Sequence, residues 1–196
     1  GTRRGLSAKT QPIMVLTACT VLILDNASAT HAAEWGVLAY LSGEGGLEAD
    51  AERYWETLLQ AASAGACDVA LQVDGGGAAA RWAATTAGVT AWAPLGPTDM
   101  ASEEALCGFL GWAAEHLNSP MLILIVLGHG SGLATLSPEH SGIATDGGNR
   151  RGLGVGELGR ALERSGLAPV EVVSLEACYG SALEVAWALR GATRHM

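Results

Sequence analysis

Two residues capable of nucleophilic chemistry each come shortly after a run of apolar residues. His129 follows the run 121–127 and stands between two glycines, and Cys178 follows the run 170–175. A cysteine attacks a substrate as its thiolate, which a free thiol forms only sparingly at neutral pH. A nearby imidazole can take up the thiol proton and later return it to the leaving group. The two residues therefore predict nucleophilic catalysis by a thiolate, provided that the fold brings them together.

Two buried strands are the elements that would bring them together. Short apolar runs rich in β-branched residues are typical of strands covered on both faces, as in parallel sheets. Because open α/β sheets bind their ligands at the carboxyl ends of such strands, we expect His129 and Cys178 at one edge. The backbone amides of Gly130 and Cys178 are the expected oxyanion-hole donors. A helix predicted to begin at Ser181 would favour the thiolate through its N-terminal dipole.

Other roles for the same residues compete with this interpretation. A cysteine at a strand end is often core packing, and a His-Gly pair is often a turn. A metal site formed by His129, His140 and Cys178 is a further alternative. The four cysteines have no CxxC pair and no regular spacing, which argues against structural zinc and against a disulfide framework.

Composition limits the classes of partner. The 196 residues suit about one domain, and the 49% of hydrophobic residues suit a folded core. A net charge of −9 argues against nucleic acid as a partner, because phosphate binding needs clustered Lys and Arg. A protein or peptide substrate remains, and such a surface would attract a basic peptide more readily than an acidic one.

The order of predicted elements indicates an α/β fold. A strand, a helix and a strand at 35–41, 47–64 and 68–74 form a βαβ unit, which implies parallel strands. A hairpin around Gly88 follows at 79–95. Ser102 is expected to cap a helix over 103–116, with acidic residues in its first turn. Later elements are strands at 121–127 and 170–175 and helices at 153–164 and 181–190, with a long loop over 128–152 typical of binding sites.

Residues 1–32 resemble an export leader and not part of the fold. A basic start precedes an apolar run over 13–24 and a small polar segment, with cleavage expected after Ala29 or Ala32. The run is too short for an ordinary membrane span. A twin-arginine signal, a lipoprotein anchored at Cys19 and a buried first strand are the alternatives. We therefore expect a periplasmic, secreted or cell-surface protein with its folded domain over 33–196.

Several short blocks, in order, resemble the clostripain family of cysteine peptidases, relatives of caspases, legumains and gingipains. The most telling blocks are Leu-Gly-His-Gly-Ser-Gly at 127–132 and Glu-Ala-Cys at 176–178. Cys178 lies 49 residues after His129, close to the separation of about 50 in caspases. The remaining blocks lie at 34–40, 46–48, 99–112, 143–146, 156–162 and 184–186.

This resemblance implies a fold, an activity and roles for residues. It implies a caspase-like three-layer sandwich with a mostly parallel central sheet, His129 as general acid/base, Cys178 as nucleophile and hydrolysis of peptide bonds. No cofactor is expected; calcium is used by some relatives, but no acidic loop has a calcium-binding spacing. Because only 18 residues follow Cys178, we expect a domain truncated at its C-terminus. The resemblance leaves the oligomeric state open.

One departure from the family pattern bears on specificity, and one basic pair bears on processing. Family members usually have Asp two residues before the nucleophile, where it binds Arg or Lys, and this chain has Glu176. A carboxylate there favours cleavage after Arg or Lys, although legumains, which prefer Asn, also have Glu-Ala-Cys. Arg150 and Arg151 lie between the catalytic residues as a possible self-cleavage site. The 43–46 segment also departs from the family. The alternative function is an inactive or truncated relative that acts as a binding or scaffold module.

Overall fold

A computed structural model describes residues 33–130, 142 and 152–196 of the chain. These residues form seven strands and four helices. The strands are β1 (Trp35–Ser42), β2 (Asp68–Asp74), β3 (Ala79–Thr85), β4 (Gly88–Gly96), β5 (Met121–Leu127), β6 (Val170–Glu176) and β7 (Thr193–His195). The helices are α1 (Glu48–Ser63), α2 (Glu103–His116), α3 (Val155–Ser165) and α4 (Leu183–Leu189). The leader predicted over 1–32, His140, Arg150 and Arg151 lie outside the described residues.

One seven-stranded sheet runs through the domain in the order β4-β3-β2-β1-β5-β6-β7. Strands β1, β2, β5, β6 and β7 are parallel to one another, and β3 and β4 form an antiparallel hairpin on one side. The predicted βαβ unit, the hairpin and the mostly parallel sheet are confirmed. Parallel pairing requires long crossover connections, which the helices supply.

Helices cover both faces of the sheet and make three layers. Alternate residues of β1 face opposite ways, so Leu38 and Tyr40 join a core with α2, α3 and α4. Ala39 and Leu41 join a second core with α1 on the other face. Burial on both faces explains why β1 and β5 are almost uniformly apolar in sequence. The predicted three-layer sandwich is confirmed.

Local signals set the boundaries of the helices. The Ser102 hydroxyl accepts a hydrogen bond from the Ala105 amide at 3.1 Å, as the sequence predicted for the start of α2. Gly65, just after the end of α1, has a φ of 77°, which glycine adopts without strain. No helix in the described ranges combines the length and the apolar character needed to cross a membrane.

Candidate active site

The candidate site lies where the neighbouring strands β5 and β6 end. Leu127 of β5 is paired with Glu176 of β6, and the Gly128 amide donates a hydrogen bond to the Glu176 carbonyl at 3.4 Å. His129 and Cys178 each follow this paired position by two residues. The structure therefore brings the two residues that the sequence singled out to the same rim of the sheet, and both are exposed there.

The backbones of the two segments lie in direct contact at Gly130. A Cβ atom at this position would overlap the carbonyl oxygen of Cys178 and would lie 2.9 Å from its amide nitrogen. It would also lie 3.1 Å from the Cβ of Ala177. Because two of these neighbours are backbone atoms that cannot rotate away, only glycine fits between His129 and Ser131. The amides of Gly130 and Cys178, the expected oxyanion-hole donors, consequently lie close together.

The imidazole of His129 is held by a backbone carbonyl from another part of the chain. Its Nε2 atom lies 3.0 Å from the carbonyl oxygen of Gly45. A carbonyl oxygen can only accept a hydrogen bond, so Nε2 carries the proton in this contact. In the neutral ring the other nitrogen, Nδ1, is then the free base. An imidazole fixed in this tautomer can accept a proton from a neighbouring thiol.

Gly45 belongs to the loop that joins β1 to α1. The Gly43 amide donates to the carbonyl of Asp74 at 2.9 Å, which fastens the loop to the end of β2. Gly45 and Gly46 have φ values of 75° and 101°, a region that favours glycine. A Cβ at Gly45 would lie 3.1 Å from the imidazole. The departure from the family over 43–46 thus lies against His129, a role that the sequence did not indicate.

Cys178 lies in a tight turn, and the helix predicted to begin at Ser181 begins at Leu183, two residues later. The Gly180 amide donates to the Ala177 carbonyl at 3.0 Å, and the Ala182 amide donates to the Tyr179 carbonyl at 3.1 Å. Tyr179 has a φ of 63°, which turns the chain away before α4 begins at Leu183. These two bonds satisfy backbone groups within the turn, and the helix begins after it.

Glu176 has one hydroxyl group as a hydrogen-bond partner and a second one nearby, from a residue of α1. The Ser174 hydroxyl donates to Oε1 at 2.8 Å. The Tyr54 hydroxyl of α1 lies near the same carboxylate. Burial first, and then the charge of Glu176, raise the pKa of Tyr54 above its ordinary value, so the hydroxyl stays protonated. A carboxylate has further acceptor positions, so Glu176 retains capacity for a cation.

The metal alternative has no support in the part of the chain that the structure describes. No group of three or more His, Cys, Asp or Glu side chains there is arranged to hold a metal ion. His140, one of the three ligands considered, lies outside that part. Cys67, Cys107 and Cys178 are free thiols.

Comparison with known proteins identifies relatives. A sequence model of the clostripain family matches residues 91–196, slightly more than half of the chain, which includes His129, Glu176 and Cys178. No curated protein gives a significant match by sequence.

Solved structures of similar fold are C11 cysteine proteases. A secreted protease from Bacteroides thetaiotaomicron, in complex with an irreversible peptide inhibitor, has a TM-score of 0.67 at 17% identity, covering 81% of this chain and 46% of that one. A second structure from this organism, the secreted protease "iotapain", has a TM-score of 0.65 at 15% identity, covering 83% of this chain and 51% of that one. An inactive zymogen from Parabacteroides distasonis has a TM-score of 0.58 at 18% identity, covering 83% of this chain and 47% of that one.

The present chain thus spans about half the length of these proteins, and at such identities their likeness to it concerns the fold. The family match is the stronger finding, because it covers most of the chain from β4 onwards, including both residues at the rim. It confirms the resemblance seen in the sequence. This chain belongs to the clostripain family.

Proposed function

We propose that the chain is a cysteine endopeptidase in which Cys178 is the nucleophile and His129 the general acid/base. The Cys178 Sγ gives its proton to Nδ1 of His129 and attacks the carbonyl carbon of the substrate. The oxygen becomes an oxyanion that the amides of Gly130 and Cys178 stabilise, by roughly 3 kcal/mol each. The imidazolium then protonates the leaving amine as the C–N bond breaks, and water hydrolyses the acyl-enzyme.

One observation carries this proposal: the contact between the Gly45 carbonyl and His129 Nε2 on the rim that also holds Cys178. A histidine in a simple turn needs no fixed tautomer, whereas a general base does. The contact leaves Nδ1 as the proton acceptor, and the packing of Gly130 on Cys178 keeps the two segments adjacent. The Cys–His dyad therefore needs no third side chain, because a backbone carbonyl orients the ring.

The proposed specificity is cleavage after Arg or Lys, with Glu176 binding the basic side chain. Its carboxylate, two residues before the nucleophile, is fixed by a hydrogen bond from Ser174 and lies near Tyr54. A fixed carboxylate with free acceptor positions suits a guanidinium or an ammonium group. Preference for Asn is the competing specificity, since an amide nitrogen can also donate to Glu176.

Our proposals on self-processing, cellular location and partners are based on the sequence. Self-cleavage after Arg150 or Arg151 would separate the His129 and Cys178 segments; a Cys178→Ala chain that is still cut there would refute it. A leader over 1–32 followed by a peptidase domain over 33–196 is the organisation of an exported enzyme. The secreted relatives support this location. Its partners are protein or peptide substrates.

A matched peptide series tests the function. The peptides differ only in the residue before the cut bond, which is Arg, Lys, Asn or Ala. We expect cleavage after Arg and Lys, none after Ala, and loss of at least about 100-fold with Cys178→Ala or His129→Ala. Cleavage after Asn alone would contradict the proposed specificity. If the chain binds the peptides but cleaves none of them, the chain is an inactive binding module, which is the alternative function.

A further inference from the structure

A buried carboxylate lies at the edge of the sheet opposite to the candidate active site. Asp68 is the first residue of β2 and is 5% exposed. Its Oδ2 atom accepts two hydrogen bonds, from the backbone nitrogen of Ala33 at 3.0 Å and from the Ser119 hydroxyl at 3.3 Å. The carboxylate thus joins the segments that enter β1 and β5.

Asp68 has no cationic side chain as a partner among the residues that the structure describes. The ion pairs found there involve Asp50, Glu103 and Glu171. Buried carboxylates in proteins are generally paired with a cation, because removal from water disfavours an isolated charge. The neighbouring Cys67 thiol, whose pKa is raised by burial and then by the charge of Asp68, stays neutral.

The backbone that carries Ala33 is fixed against this carboxylate. The Glu34 carbonyl accepts a hydrogen bond from the Met121 amide at 3.2 Å. Gly36 is paired in register with Asp68, and a Cβ at Gly36 would lie 3.0 Å from the Cβ of Ser119. The nitrogen of Ala33 therefore reaches Asp68 because β1 is seated in the sheet.

Ala33 directly follows Ala32, one of the two positions where the sequence predicts leader cleavage. We infer that, once the leader is removed between Ala32 and Ala33, Asp68 receives the new N-terminal ammonium group of Ala33. The inference depends on the proposed export leader and not on the proposed peptidase activity.

The chemistry of this step balances as an ordinary hydrolysis by a leader peptidase of the exporting cell. The C–N bond between Ala32 and Ala33 breaks, and the oxygen of a water molecule bonds to the carbonyl carbon of Ala32. The Ala33 nitrogen keeps the electron pair and is protonated to an ammonium group. An amide donates one hydrogen bond without net charge, whereas an ammonium can donate three and brings the positive charge that buried Asp68 lacks. Cleavage at Ala29 would instead leave Thr30, His31 and Ala32 ahead of this position.

The lysine content of the chain makes the ammonium group directly measurable. Lys9 is the single lysine of the whole sequence, so a chain that begins at Ala33 has no other amino group. An amine-selective acylating reagent then reports on the N-terminus alone. An ammonium group engaged by Asp68 should react slowly in the folded chain and at the ordinary rate after unfolding.

The experiment uses the whole folded chain and cleaves the leader from it. A site-specific protease sequence replaces residues 29–32, so that cleavage exposes Ala33; in the control it replaces residues 26–29, so that cleavage exposes Thr30. Every chain carries Cys178→Ala, which removes self-cleavage and any dependence on activity. We expect the Ala33 amine to be acylated at least tenfold more slowly than the Thr30 amine in folded chains. We also expect cutting before Ala33, but not before Thr30, to raise the folding equilibrium constant about tenfold, and Asp68→Asn to abolish this gain.

Two results would overturn the inference: equal acylation rates for the two amines, or a stability gain that survives in Asp68→Asn. The acylation comparison uses native Asp68 in both chains, so it decides the matter even where Asp68→Asn fails to fold.

Discussion

The imidazole of His129 is joined through Nε2 to the backbone carbonyl of Gly45, 3.0 Å away and 84 residues earlier in the chain. This contact connects the β1–α1 loop to the rim where β5 and β6 end. It makes the orientation of the proposed general base depend on a loop that the family match over 91–196 does not include. Substitutions in this loop should therefore change catalysis without touching either catalytic side chain.

The first prediction concerns this loop. Gly45→Ala places a methyl group 3.1 Å from the imidazole, so the ring must shift. We expect kcat/KM to fall by roughly 10- to 100-fold, the loss that a displacement of about 1 Å can produce. The matched control is Gly46→Ala, which also has a positive φ but whose Cβ would contact nothing within 4 Å. Both variants should lose about 1 kcal/mol of stability from backbone strain, measured by urea unfolding. Equal activity in the two variants would contradict the role of Gly45.

The second prediction concerns the contact between the two catalytic segments. Gly130→Ala inserts a Cβ against the backbone nitrogen and carbonyl oxygen of Cys178, atoms that cannot move independently of the turn. We expect peptidase activity to fall by more than about 100-fold, because the proposed oxyanion donors separate. Gly111→Ala, in an open position on α2, serves as the control and should keep full activity. Activity of Gly130→Ala within a factor of about two of the parent would show that this packing is irrelevant to catalysis.

The third prediction concerns specificity. Glu176→Gln removes the charge proposed to bind Arg, so KM for an Arg peptide should rise at least tenfold while an Asn peptide changes little. Tyr54→Phe removes a hydroxyl that lies near the carboxylate and should give a smaller rise, of roughly threefold. Glu56→Gln removes one negative charge from an exposed position on α1, the helix that carries Tyr54. It controls for the change in net charge. A rise of equal size in Glu56→Gln would assign the effect to long-range attraction.

The fourth prediction concerns pH and the packing of α2 on α3. Glu103 accepts hydrogen bonds from Arg160 and Arg164 at 2.8–3.0 Å, and these bonds lower the pKa of its carboxyl group. A lowered pKa in the folded chain means that this stabilisation is present above the pKa of the unfolded chain and disappears as pH falls through the folded value. Glu103→Gln should therefore be less stable than the parent at pH 7, and the difference should shrink in acid.

Urea unfolding at several pH values between about 7 and 3 measures this difference. Glu115→Gln, an exposed carboxylate on the same helix, is the control and should show little pH-dependent difference. A Glu103→Gln deficit that stays constant down to acid pH would mean that the two arginine pairs do not produce it.

Much of the fold could be predicted because its signals are local. The apolar run over 121–127 appears as strand β5 with the same bounds, and Ser102 begins α2 through the hydrogen bond expected of it. The glycine-centred turn at Gly88 joins β3 and β4 as expected. Apolar periodicity and capping depend on neighbouring residues, so they can be recognised from one sequence.

The features that the sequence did not predict depend on tertiary contacts. Strand β7 has three residues and exists through its pairing with β6, which no local pattern indicates. Helix α4 begins two residues later than the sequence predicts, because no local pattern reveals the turn around Tyr179. For the site, the residue types, their positions after apolar runs and their separation pointed to His129 and Cys178, and the structure places both at one rim. The contribution of Gly45 is a backbone carbonyl, and every residue type has one, so its identity carries no signal.

Alkylation of Cys178 at pH 6.5 tests the central claim, that His129 withdraws its proton, most directly. Iodoacetamide reacts with the thiolate, and mass spectrometry of peptides resolves the rate at each cysteine. We predict that Cys178 reacts at least about tenfold faster in the parent chain than in His129→Ala, while the partly buried Cys107 reacts equally in both. Identical rates for Cys178 in the two chains would contradict the claim that these residues form a catalytic pair.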